Sequence, residues 1–85
     1  MKTIIDVRTP QEFVVGNVAG SINIPLQEIA QRVEEIKSLP QPIVLCCASG
    51  MRSGQAVGFL QGNGIACENG GGWTDVNFKT QNSNA

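Results

Sequence analysis

The sequence predicts an α/β domain built on a largely parallel sheet. Short apolar runs rich in β-branched residues alternate with segments of helical period. The run Ile43-Val44-Leu45-Cys46 carries no polar side chain, as expected of a central strand covered on both faces. The chain has 85 residues, which suffices for one domain.

The elements follow in order. Thr3-Ile4-Ile5-Asp6-Val7 reads as a buried strand ending at a charge. In "TPQE" Thr9 can cap a helix, Pro10 suits its first position and Glu12 stands where a capping box needs it. This helix should cover residues 10–15 and end at Gly16-Asn17. Residues 21–24 alternate as a second short strand. After Pro25, the stripe Leu26, Ile29, Ala30, Val33 and Ile36 predicts one amphipathic helix, stopped by "LPQP" at 39–42. Beyond the central strand a turn is expected at 47–52. A helix over about 53–61 then packs Ala56, Val57 and Leu60. Residues 65–67 make a last strand, Gly70–Gly72 a flexible turn, and 73–78 one helical turn. Residues 1–79 form the single domain and 80–85 a flexible tail.

Composition narrows the function. Net charge is −1 with both signs dispersed, so neither nucleic acid nor membrane is an expected partner. No apolar stretch approaches the roughly 20 residues of a membrane span. The start "MKTIIDVRTP", charged at Asp6 and Arg8, does not read as a signal peptide. The three cysteines, two of them adjacent, form no disulfide framework and no zinc set. Reduced thiols and a cytoplasmic location are expected, with the periplasm as the alternative had a leader been trimmed. No metal or organic cofactor is expected.

The stretch "CCASGMRSGQ" at 46–55 carries the chemistry. It lies at the carboxyl end of the most apolar strand, where parallel sheets bind ligands. An ordinary thiol is only about 3% ionised at neutral pH. Lowering its pKa by about two units requires roughly 2.7 kcal/mol of preference for the anion. The chain has no histidine. What remains for Cys47 is a helix N-terminus, a concave turn of N–H groups and the Arg52 guanidinium. Ala48, Ser49 and Gly50 are small enough to leave such a cradle open, and Met51, Arg52 and Ser53 lead into the helix. Cys46 is expected on the opposite face as core, and Cys67 as structural. Asp6 and Arg8 are expected to tie down a strand end, and Trp73 to serve as a core or pocket-wall aromatic.

Residues 47–53 resemble the active-site loop of the rhodaneses, the thiosulfate sulfurtransferases, in the form C-x-x-G-x-R-S. "IIDVRTPQEF" at 4–13, "GNVAGSINIPL" at 16–26 and "ENGGGW" at 68–73 are similar to further segments of that family, in the same order. The likeness runs over residues 4–76 and is greatest to small single-domain members, including the bacterial phage-shock type. Asn17 stands where the family usually has His, and Cys46 where a bulky strand residue is common. The resemblance implies helices on both faces of the sheet and Cys47 as the carrier of a persulfide. Residues 48–53 would bind a small anionic sulfur donor such as thiosulfate, and the acceptor would be cyanide, a thiol or a protein cysteine. Two rivals stand beside this reading. One is a carrier module that passes sulfur on with little activity toward thiosulfate. The other is a phosphatase or arsenate reductase. The related phosphatases place five residues between Cys and Arg, and this chain has four. The tighter loop favours the tip of a persulfide over a phosphoryl group.

Overall fold

In a computed structural model describing residues 3–82, strand β1 (Thr3–Asp6) leads through α1 (Pro10–Val15) to β2 (Ile22–Asn23). Helix α2 (Val33–Lys37), β3 (Ile43–Cys47), α3 (Met51–Gly62), β4 (Cys67–Gly72) and α4 (Trp73–Asn82) follow. The four strands are all parallel, in the order β2-β1-β3-β4. Parallel neighbours need long crossovers, and the helices supply them.

All five residues of β3 are buried. Their side chains alternate between the two faces of the sheet. Ile43, Leu45 and Cys47 join Ile5, Ile29, Ile36, Ala56, Leu60 and Ile65 in the larger core. Val44 and Cys46 join Val18 and Val76, with Ile4 and Trp73 packed against them. Thus α2 and α3 cover one face, and α4 covers the other. The adjacent cysteines point opposite ways, as the strand period requires.

The capping box of α1 forms in full. Thr9 Oγ1 accepts the Glu12 N–H at 3.2 Å, and Glu12 Oε1 accepts the Thr9 N–H at 3.0 Å. Four expectations change. The amphipathic segment is not one helix. It runs as two 3₁₀ turns, Leu26–Glu28 and Ala30–Arg32, before α2. The tighter turn of three residues keeps Leu26 and Ile29 on the core, with Val33 and Ile36 beyond them, while Ala30 is exposed. The loop after β3 is shorter than the expected 47–52, because β3 includes Cys47 and α3 begins at Met51.

The glycine run is strand rather than turn. Leu45 pairs with Asn69 and Cys46 with Gly71, so the register shifts by one residue at Gly70. A Cβ at Gly70 would lie 2.7 Å from both Val44 Cγ1 and Val76 Cγ2. Here glycine lets the strand edge approach the smaller core. Finally, α4 runs ten residues and anchors through buried Val76 and partly buried Trp73, exceeding the single turn expected at 73–78. Residues 80–82 of the expected tail belong to this helix, and 83–85 lie outside the described residues. Among the described residues no helix is long and apolar enough to cross a membrane.

Candidate active site

Strands β1, β3 and β4 end together at Asp6, Cys47 and Gly72, so the carboxyl edge of the sheet gathers the polar residues of the molecule's interior. Cys47 is fully buried at the end of β3. The chain then turns through Ala48 and Ser49, both exposed, into Gly50 at the N-cap of α3. Gly50 has φ 98° in the left-handed region, where a side chain would be strained. That conformation points its N–H back at Cys47 Sγ, 3.0 Å away. The backbone amides of Ser49 and Ser53 also serve the sulfur, and the Ser53 hydroxyl oxygen lies 3.5 Å from it.

Burial pushes the Cys47 thiol up, but hydrogen bonds from the Ser53 hydroxyl and the amides of Ser53, Gly50 and Ser49 outweigh it. The thiol is lowered from 9.0 to about 7. The amide cradle expected from the small residues is therefore present, and together with the Ser53 hydroxyl it brings the sulfur into the neutral range with no imidazole. The other two cysteines behave oppositely. Burial pushes Cys46 up to about 12, and burial also raises Cys67. All three are free thiols.

The guanidinium of Arg52, expected to anchor the loop or to hold the anion, pairs with Glu12. Its Nη1 and Nη2 donate to Glu12 Oε1 and Oε2 at 2.8 and 3.0 Å. The Arg52 hydrogen bonds are the main reason the Glu12 carboxyl is held down to about 2. This planar two-point pair clasps the start of α1 to the start of α3. A carboxylate matches the guanidinium fork better than a single sulfur atom does. Glu12 thus serves both the capping box and the loop, and its second role joins residues 40 positions apart in sequence. Met51 lies 75% exposed at the rim.

Asp6 and Arg8 form the structural tie expected of them. Arg8 Nε and Nη2 donate to the Asp6 carboxylate at 2.8–3.0 Å, and Nη2 also donates to the Gly16 carbonyl at 2.7 Å. The guanidinium lies over the Trp73 ring, 4.8 Å from its centre. Asn17 donates to the Phe13 carbonyl at 2.8 Å and closes the end of α1.

One contributor escaped the sequence reading. Asn69 of β4 donates through Nδ2 to the Gly50 carbonyl at 2.9 Å. Its Oδ1 accepts the Gly71 N–H at 2.9 Å and the Ser53 hydroxyl at 2.6 Å. The available signal was a lone amide side chain set directly before the glycine run. Among the described residues no three of His, Cys, Asp and Glu come together as a metal set.

The geometry sets a pH dependence. Alkylation of Cys47 by iodoacetamide is expected to rise about tenfold per pH unit below the midpoint and to level off above it. The midpoint should fall at about 7. Because the folded-state value lies below the ordinary one, this group's share of stability is full above 9.0. It is lost as pH falls through about 7. An alkylation midpoint near 9.0 would mean that the amides do not hold the anion.

The profile of the rhodanese-like domain matches residues 1–78. Thiosulfate sulfurtransferase PspE of Escherichia coli is 36% identical over 74 residues, covering 85% of this chain and 71% of PspE. The uncharacterized protein YqhL of Bacillus subtilis is 44% identical over 61 residues, covering 72% of this chain. The matched region spans only 48% of YqhL, about half its length. Among solved structures, a rhodanese with anions from E. coli superposes with TM-score 0.80 at 35% identity, covering 88% of this chain and 91% of that one. A rhodanese-related protein from Thermoplasma volcanium gives TM-score 0.78 at 33% identity, covering 93% and 78%.

Proposed function

Because the chain belongs to the rhodanese-like domain family, whose members include sulfurtransferases, we propose that it is a thiosulfate sulfurtransferase working through a Cys47 persulfide. The observation that carries this reading is a buried sulfur ringed by amide donors and lowered to about 7. Residues 1–79 act as one domain in this reading.

In the first half-reaction the Cys47 thiolate attacks the outer sulfur of thiosulfate. A sulfur–sulfur bond forms to Cys47, and the sulfur–sulfur bond of thiosulfate breaks with its electron pair going to sulfite. The negative charge now rests on the terminal sulfur of the persulfide. In this reading the N–H groups of loop 48–53, fixed by the fold around the sulfur, hold that charge as well. Arg52, paired with Glu12, acts chiefly by fixing the loop, while the N-terminus of α3 favours an anion there. In the second half-reaction an acceptor nucleophile attacks the terminal sulfur. The bond to Cys47 breaks and returns its electron pair to the thiolate. With cyanide the product is thiocyanate; with a thiolate it is a new persulfide. Protons and electrons balance without a cofactor.

Intact-mass spectrometry after mixing with thiosulfate tests the scheme. The expected result is a gain of one sulfur atom that disappears on adding cyanide. A chain that takes sulfur only from a protein persulfide would belong to the carrier reading. A chain that takes none from either source would overturn the proposal.

A further inference from the structure

The Ser53 hydroxyl has two neighbours and one proton. Its oxygen lies 2.6 Å from Asn69 Oδ1 and 3.5 Å from Cys47 Sγ. The orientation of the Asn69 amide follows from its main-chain partners. The Gly71 N–H can only donate and the Gly50 carbonyl can only accept, so Oδ1 is the acceptor end and Nδ2 the donor end. The short contact to Ser53 is therefore an O–H···O bond made with the serine's own proton. In that state the hydroxyl offers Cys47 only lone pairs, which suit a thiol S–H as donor. A sulfur anion requires the reverse.

We propose that Asn69 is a positioning residue that competes with the Cys47 sulfur for the single proton of Ser53, so that the hydroxyl turns from Asn69 to the sulfur when that sulfur becomes an anion. Rotation about one bond suffices, since Ser53 is buried beside both partners. Asn69 Oδ1 keeps the Gly71 N–H when the hydroxyl leaves, so no buried acceptor is orphaned. The arrangement gives the protonated thiol an acceptor and the thiolate or persulfide a donor, with Asn69 setting the balance between them. This inference rests on Cys47 being the sulfur carrier.

A double-mutant cycle read by the pH profile of Cys47 alkylation tests it. The effect of Ser53→Ala is measured in the parent, in Asn69→Ala and in Asn69→Asp. In Asn69→Ala the hydroxyl has no rival acceptor. Ser53→Ala is then expected to raise the Cys47 midpoint by about one pH unit, roughly twice its effect in the parent. In Asn69→Asp a charged acceptor holds the hydroxyl more firmly, and the effect of Ser53→Ala should fall below that in the parent.

The lost bond to the Gly50 carbonyl is common to both members of each pair and cancels. So do the fields of the Arg52–Glu12 pair from α3 and α1, the Asp6–Arg8 pair after β1, Glu68 of β4 and Asp75 of α4. Equal effects in all three backgrounds, or the opposite order, would overturn the inference. The readout is alkylation of the thiol, so it is independent of sulfur uptake. A failure to gain sulfur from thiosulfate would count against the functional reading alone.

Discussion

Cys47→Ser is expected to abolish persulfide formation, lowering sulfur transfer by about 10⁴-fold or more while leaving the fold in place. An alkoxide is far harder to form than a thiolate, and an oxygen at this position has no sulfur–sulfur bond to make. The Ser53 hydroxyl and the amides that lower the thiol to about 7 cannot bridge that gap, since they supply only a few hydrogen bonds. The fold should tolerate the change. The introduced hydroxyl can accept the Gly50 N–H and donate to the Ser53 oxygen, so it is not left unsatisfied. The stability change should stay within about 1 kcal/mol. Intact mass after thiosulfate reads the first expectation and a urea titration the second. Retention of a cyanide-labile sulfur in the variant would place the carrier on another residue. Cys46 and Cys67 are poor substitutes, because burial holds both thiols above the ordinary range.

The largest effect on stability is expected from Asp6→Ala. Arg8 is only 4% exposed, and among the described residues Asp6 is the carboxylate that its guanidinium bonds. Removing the carboxylate leaves a buried guanidinium that keeps the Gly16 carbonyl and the Trp73 ring face but has lost its ion-pair partner. Breaking a buried pair in this way costs about 3–5 kcal/mol. A domain of 85 residues has a total stability on the order of 4–13 kcal/mol, so much of the margin would be lost. The physical cause is the unpaired charge rather than the missing contact. Replacing both residues, Asp6→Ala with Arg8→Met, should therefore be milder than Asp6→Ala alone. Urea midpoints for the single and double variants decide the matter. A double variant no more stable than Asp6→Ala would show that the guanidinium is hydrated or re-paired in the single variant.

Much of this architecture was legible along the chain because its causes are local. The capping box needs Thr9 and Glu12 three positions apart, with Pro10 favouring the helix start between them, and it forms as the spacing implies. An all-apolar Ile43–Cys46 reads as a strand covered on both faces, and that strand places Cys47 at the carboxyl edge. The opposed directions of Cys46 and Cys47 follow from a period of two. Where local cues misled, packing had outvoted them. Glycine at 70–72 ordinarily signals a turn. Here it is strand, because the smaller core leaves no room for a Cβ at Gly70 and β3 supplies a ladder to pair with.

What the sequence by itself determined was the alternation of strands and helices, the sulfur at the end of the central strand and the small residues that let amides surround it. Each depends on residues within a few positions of one another. Only the tertiary structure decided that Arg52 would spend its charge on Glu12 and that Ser53 would share its proton with Asn69. Those partners stand 40 and 16 positions apart, and they meet because parallel pairing brings one end of every strand to the same edge.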